Sequence, residues 1–194
     1  MRVTGGRFAG RRLRVPRDGV RPSADRVRES LFARLGDLAG QRVLDLYAGS
    51  GALGFEALSR GAAHVTFVDR SRAALDVIRE NAEALGVAEE VTLRREPAEV
   101  CLKRLTGGAP FDLVLMDPPY ADRGVPGVLG SLARSGLLAP AGLVVVESDR
   151  RHAPGSIEGL AALDERRYGD TLISRYVPAG EPPRPAVGSE AQQE

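Results

Sequence analysis

The 194-residue chain is expected to fold as a doubly wound α/β domain, with helices on both faces of a largely parallel sheet. Four short runs dominated by apolar residues carry the expectation: Val43–Leu46, Val65–Val68, Leu113–Met116 and Leu143–Val146. They do not alternate apolar with polar, as strands covered on one face would, so both faces of each are read as buried. Helical segments separate the early strands, and a strand–helix–strand order of this kind implies parallel pairing. A chain of this length, 43% hydrophobic, can bury one good core.

Taken in order, residues 1–20 read as a short twisted hairpin or arm, with Val3, Phe8, Leu13 and Val15 scattered among glycines and arginines. Pro22-Ser23 announces a helix with Ser23 as N-cap; Val27, Leu31, Leu35 and Leu38 form its apolar stripe, and Arg26, Arg28, Glu29 and Arg34 take the other faces. Gly36 and Gly40 close it. The first strand, Val43–Leu46, leads through a glycine loop into a helix over Leu53–Arg60. The second strand, Val65–Val68, precedes a helix over Arg72–Leu85 that Gly86 caps. A weaker third strand, Val91–Leu93, precedes a helix over Ala98–Leu105; Leu113–Met116 and Leu143–Val146 are the fourth and fifth strands. Leu160–Tyr168 and Thr171–Val177 then read as an antiparallel hairpin turning at Gly169-Asp170. Residues 178–194, with four prolines and almost no large apolar side chain, read as a disordered tail.

The formal charge of +1 conceals a split. Residues 1–34 hold ten arginines against Asp18, Asp25 and Glu29, a local charge of +7, and the remainder sums to −6. Such asymmetry points to nucleic acid or another anionic partner. Cys101 is the single cysteine and there are two histidines, so neither an internal disulfide nor a metal-ligand cluster is expected. No apolar run approaches the roughly 20 residues that span a membrane, and no secretory signal is evident. The expectation is a cytoplasmic protein, and with no coiled-coil seam a monomer.

Gly49, Gly51 and Gly54 after the first strand satisfy G-x-G-x-x-G, where backbone can approach a ligand at a helix N-terminus. Asp45 lies inside that strand, four residues before the first glycine. A carboxylate there would repel a pyrophosphate and welcome an ammonium. Asp69 ends the second strand, where a carboxylate can accept both ribose hydroxyls. The set suits S-adenosylmethionine, which carries an ammonium and a sulfonium and no phosphate, better than a nicotinamide dinucleotide.

Asp117-Pro118-Pro119-Tyr120 follows the fourth strand. In a doubly wound sheet strands one and four are neighbours at the topological switch point, so this tetrapeptide should meet the glycine loop in one crevice. An exocyclic amine on a nucleobase is a poor nucleophile because its lone pair is delocalised. The Asp117 carboxylate and Pro118 carbonyl can hold its two N–H groups and free that lone pair. Tyr120 offers a ring on which a base can stack, worth about 1–3 kcal/mol.

Three segments, Arg21–Phe32, Val43–Gly54 and Asp117–Tyr120, with Gly5-Gly6-Arg7 and Gly10-Arg11 before them, make the chain resemble the class I S-adenosylmethionine-dependent methyltransferases. More narrowly it resembles the RsmD family, whose members methylate guanine N2 in 16S rRNA of the small ribosomal subunit. The resemblance covers about residues 2–177. It implies a Rossmann-like sheet of order 3-2-1-4-5-7-6 with the last strand pair antiparallel. It divides the chain into an RNA-contacting arm and helix (1–40), a methyltransferase domain (41–177) and the tail (178–194). Asp45, Gly49 and Gly51, with Tyr47, Ala48 and Ser50 of the same loop, would line the methionine part of the cofactor. Asp69, followed by Arg70, would hold its ribose; Glu96 and Ala98 stand at the adenine position. Asp117, Pro118 and Tyr120 would hold the target amine and base. Arg7, Arg11, Arg21, Asp25, Arg26 and Arg28 would contact RNA, with Asp25, Arg26, Arg28 and Glu29 reading as a site-facing cluster.

Other residues read as structural. Asn81 is taken as a solvated helix residue, Cys101 as a small core residue, His64 and His152 as surface residues, and Tyr168 as packing in the hairpin. Three competing functions remain: an adenine-N6 methyltransferase of DNA or RNA, which the tetrapeptide also suits; a nicotinamide-dependent oxidoreductase, disfavoured by Asp45; and a non-catalytic RNA-binding protein, disfavoured by the intact tetrapeptide.

Overall fold

A computed structural model of the chain describes residues 1–15, 24–120 and 122–180. Among the described residues seven strands form one sheet: β1 (Arg42–Leu46), β2 (His64–Asp69), β3 (Val91–Arg95), β4 (Phe111–Met116), β5 (Leu138–Asp149), β6 (Leu160–Tyr168) and β7 (Thr171–Pro178). Their order is β3-β2-β1-β4-β5-β7-β6, as expected. The first five are parallel; β7 runs antiparallel to both β5 and β6. Five α-helices accompany them among the described residues: α1 (Ala24–Leu35), α2 (Ala52–Ser59), α3 (Arg72–Leu85), α4 (Ala98–Leu105) and α5 (Val125–Arg134).

The apolar strands are buried because helices cover both faces. Alternate β1 residues separate accordingly: Val43 enters a core with Phe32, Phe55, Phe67 and Ile78, whereas Leu44 and Leu46 enter one with Val114, Leu129 and Leu132. Asp45 shares the face of Val43, toward α2. Packing of α2 on the sheet is close enough to require glycine. A Cβ at Gly54 would lie 2.2 Å from the Phe67 ring and 2.9 Å from Val65.

Helix α5 was not evident in the sequence. Pro126, Gly127 and Gly130 depress its intrinsic propensity, but proline is tolerated in the first helical turn, and Val125, Val128, Leu129 and Leu132 supply a buried stripe. Tertiary burial decides here. Strand β5 is also longer than its apolar run, with 12 residues, because β4 and β7 pair along both its edges.

Of the expected arm, residues 1–15 are described: they fold back as a short hairpin-like loop through an Arg2–Arg12 bridge and a 3-10 turn at Gly6–Phe8, and residues 16–20 lie outside the described residues. Val3 N–H donates to the Arg11 carbonyl (3.0 Å), Gly10 N–H to Val3 (2.9 Å) and Leu13 N–H to Met1 (3.1 Å). Its Val3 and Leu13 are buried in the same apolar cluster as Phe32, Phe55 and Ile78. Arg28 departs from its expected outward face: it is 4% exposed. Asn81 is likewise not solvated but 2% exposed. It falls in the helical series Ala74, Leu75, Ile78, Asn81, Ala82, the buried stripe of α3. Cys101 is buried, and burial pushes its thiol up to about 12. Tyr168 packs against the main core, and its hydroxyl pairs with Ser30 at 2.8 Å. The Ser23 cap and Arg21 lie outside the described residues, as do residues 181–194 of the expected tail.

Candidate active site

A cleft of about 960 Å³ opens at the carboxyl ends of β1, β2 and β4. The sheet order dictates this place. Asp45 pairs with Leu115 and Leu46 with Met116, so the chain leaves β1 at Tyr47 and β4 at Asp117 side by side. The crevice outside such adjacent strands is where open α/β sheets hold ligands.

The glycine loop is held from below and from the side. The Asp45 carboxylate, 1% exposed, accepts the Gly54 N–H at 2.9 Å in the first turn of α2. Burial pushes this carboxyl well above the ordinary range, against that hydrogen bond, and the charges of Asp117 and Asp69 push it further. The Asp69 carboxylate accepts Gly49 N–H at 2.9 Å with one oxygen and Ser71 N–H at 2.8 Å with the other. Gly51 caps α2 in the left-handed region at φ +77°, and a Cβ there would lie 2.8 Å from the Phe55 ring. Tyr47 also has positive φ, at +61°. It is the one non-glycine among the described residues to do so, and such backbone costs about 1–3 kcal/mol. Its ring lines the cleft, and burial, then the charges of Asp122 and Glu99, push its phenol up.

Asp117, Pro118 and Tyr120 line the same cleft as Asp45 and Asp69. The Tyr120 hydroxyl lies 3.2 Å from the Thr171 hydroxyl at the start of β7, which ties this loop to the hairpin. Asp122 N–H returns to the Pro119 carbonyl at 2.8 Å, so the tetrapeptide ends in a closed turn. Asp45, Asp69, Asp117, Glu99, Asp122 and Glu147 together give the cleft a negative lining. That donor set fits an ammonium or sulfonium and disfavours a phosphate.

Of the residues singled out in the sequence, Tyr47, Ala48, Gly49, Ser50, Arg70, Glu96, Ala98 and Arg28 also line the cleft. Glu96 is 7% exposed and engaged by two guanidinium groups, Arg104 at 2.7 Å and Arg94 at 3.4 Å. Arg28 gives its Nε to Glu56 at 3.4 Å and its Nη2 to the Arg2 carbonyl and to Asp25. Gly51, Arg7, Arg11, Asp25 and Arg26 do not line the cleft. Arg7 pairs with Glu90, and Arg11 donates to the Ala84 carbonyl at 2.9 Å. Asp25 borders a smaller hollow with Met1, Arg2 and Arg12. Among the described residues no His, Cys, Asp or Glu group could hold a metal ion, and no helix is long and apolar enough to cross a membrane.

Sequence reasoning missed three contributions. Met1 and Val15 of the arm reach the cleft, as do Glu99, Asp122 and Glu147. Glu56, wholly buried on α2, accepts Thr4 N–H (2.8 Å), Thr4 Oγ1 (2.7 Å), Arg60 Nε (3.0 Å) and Arg28. An acid inside the otherwise apolar Phe55–Leu58 run was its available signal. Asn81 lies on the apolar period of α3, the signal that it faces inward.

Comparison with known proteins agrees with this geometry. Residues 1–177 match the family described as conserved hypothetical protein 95. YlbH of Bacillus subtilis (strain 168) is 36% identical over 187 residues, covering 93% of this chain and 100% of the relative. Ribosomal RNA small subunit methyltransferase D of Escherichia coli (strain K12) is 36% identical over 151 residues, covering 77% of this chain and 75% of the relative. The solved structure of yhhF from Escherichia coli superposes with a TM-score of 0.81 at 34% identity, covering 92% and 97% of the two chains. With the sheet order, the cleft and these matches in agreement, the chain belongs to the RsmD family, the conserved hypothetical protein 95 group.

Proposed function

We propose that the chain is an S-adenosylmethionine-dependent rRNA methyltransferase that modifies the exocyclic N2 amine of a guanine in 16S rRNA of the small ribosomal subunit, as a cytoplasmic step of ribosome maturation. The observation that carries the proposal is the meeting of Asp117-Pro118 with Asp45 and the Tyr47–Ser50 loop in one acid-lined cleft. The Escherichia coli relative's designation as a small subunit rRNA methyltransferase supports the substrate class.

In this reading Asp45 and residues 47–50 hold the methionine part of the cofactor, with Gly51 shaping the turn behind them, Asp69 and Arg70 at its ribose and Glu96 and Ala98 at its adenine. S-Adenosylmethionine supplies a methyl group made electrophilic by the sulfonium. The residues of the chain prepare the nucleophile. Asp117 accepts one amine N–H and is the acceptor at hand for the proton released. The Pro118 carbonyl accepts the other; proline lacks an N–H and fixes its own φ, so the direction of that carbonyl is set by a stiff backbone. Tyr120, steadied by Thr171, stacks on the extruded base. Positioning and electrostatics supply most of the rate. Arg7, Arg11, Arg21, Asp25, Arg26 and Arg28 are proposed to face RNA, Arg28 from the cleft wall.

The test is to incubate the protein and labelled S-adenosylmethionine with small subunits, free rRNA and duplex DNA, then identify the methylated nucleoside. N2-methylguanine from small subunits is expected; N6-methyladenine as the sole product would overturn the guanine assignment. Asp117→Ala should lower kcat at least ~100-fold, the scale of one lost transition-state hydrogen-bonding group. Cofactor affinity by calorimetry should stay within about threefold. An equal fall in both would move Asp117 from the amine to the cofactor.

A further inference from the structure

The N-terminal arm is bolted to the two helices that flank the glycine loop. On α3, the Asn81 side chain clasps the arm's main chain in both directions. Its Oδ1 accepts the Arg14 N–H at 2.8 Å and its Nδ2 donates to the Arg14 carbonyl at 3.0 Å. The same Nδ2 reaches the Ser50 carbonyl of the glycine loop at 3.4 Å. Ser50 in turn points its hydroxyl at the Met1 sulfur, 3.6 Å away. On α2, which starts at the loop, Glu56 takes the main chain and hydroxyl of Thr4, and Ser59 accepts the Phe8 N–H at 2.8 Å. Met1 and Val15 of the arm then form part of the cleft wall.

We infer that the arm is a wall of the cofactor site, and that Asn81 is the positioning residue through which arm docking and cofactor binding are coupled. The inference rests on the reading of the cleft as a cofactor site. The physical reason is the sharing of one amide between two partners. Asn81 is 2% exposed, so each of its bonds replaces water that cannot reach it. One buried side chain therefore bonds both arm and loop, with Asp69 also holding the loop at Gly49. A ligand that orders the loop orders Asn81, and an ordered Asn81 favours the docked arm. Such coupling is reciprocal: the factor by which the docked arm tightens the cofactor is the factor by which the cofactor stabilises docking. This gives the arm a use besides RNA contact. Arg7 and Arg14 add exposed ion pairs between the arm and Glu90 and Glu80 of the body.

The experiment uses the full chain with S-adenosylhomocysteine as probe. Its Kd is measured by calorimetry for wild type, Asn81→Ala and Thr4→Val, and hydrogen exchange is followed at the Val3, Gly10 and Leu13 amides. Asn81→Ala should raise Kd about tenfold, the effect of ~1.4 kcal/mol, and speed exchange in the arm. Saturating probe should slow that exchange again. Thr4→Val, which loosens the arm at Glu56 without touching the loop, should raise Kd in the same direction and keeps the test open if Asn81→Ala does not fold. Faster arm exchange with unchanged Kd in both variants would overturn the coupling while leaving the cofactor reading intact. A wild-type protein that binds no probe would overturn both.

Discussion

Asp45 is a residue at which burial of a carboxyl costs stability. Its carboxylate is buried, accepts the Gly54 N–H and has two acidic neighbours, Asp117 and Asp69. A carboxyl whose folded value is raised contributes its full stability below the unfolded value of about 4, and that contribution is lost as pH rises through the folded value. Asp45→Asn keeps an acceptor for Gly54 and removes the buried charge. It should raise Tm at pH 8 by about 2–4 °C, corresponding to ~1 kcal/mol, and weaken S-adenosylhomocysteine about tenfold. Scanning calorimetry and titration check the two halves separately; a lowered Tm would show that the charge is compensated. Asp45, Asp69 and Asp117 were legible in the sequence because each stands in or at the end of an apolar strand, and the sheet order then decides which ends meet. For Glu56 and Asn81 only the burial left a signal, and the partners did not. Their partners, Thr4 and Arg14, lie 52 and 67 residues away, and backbone groups of an irregular arm leave no periodic trace.

At the scale of elements, two contacts bear most on the cleft. Helix α2 sits on β2 so closely that Gly54→Ala should cost about 1–3 kcal/mol through overpacking against Phe67. Urea melts would register it as a lower midpoint at unchanged m-value. The arm is the second. Deleting it would remove Val3 and Leu13 from the core, so deletion confounds folding with RNA contact. Arg11→Gln with Arg12→Gln leaves those apolar anchors in place. If these side chains touch phosphates, the slope of log affinity against log salt should flatten by about 0.7–0.9 per lost contact. An unchanged slope would assign them to the protein surface alone. The strands and helices through α4 were legible from apolar period, whereas α5 was not, because its glycines and proline argue locally against a helix that burial enforces.

For the whole molecule, the charge split seen in the sequence is partly cancelled within the fold. Arg7 and Arg14 in the arm and Arg28 and Arg34 in α1 form ion pairs with Glu90, Glu80, Glu56 and Asp164. Pairing of this kind makes stability sensitive to acid. The Arg175 guanidinium, with Arg34 beside it, holds the Asp164 carboxyl down at about 2. That contribution is complete above about pH 4 and is lost as pH falls through the folded value. Tm should therefore decline between about pH 4 and pH 2, and Asp164→Asn should flatten part of the decline. Thermal melts across that range test it; an identical slope in the variant would move the acid sensitivity to other carboxylates. Most of the overall architecture was readable in advance. The arm's inward engagement was not, since net charge says how many cations a segment carries and nothing about which anions fold against it.

The position of β7 between β5 and β6 has a consequence for biosynthesis. Strand β5, 12 residues long, is synthesised well before the strand that covers its outer edge. Until Thr171–Pro178 has emerged, the nascent chain presents an open strand edge, and Tyr120 has no Thr171 to meet. The stretch that waits for β7 is Val144–Asp149, and an unpaired strand edge is a template on which other chains can pair. Pairing with β7 thus both completes the wall behind the tetrapeptide and covers that stretch of β5.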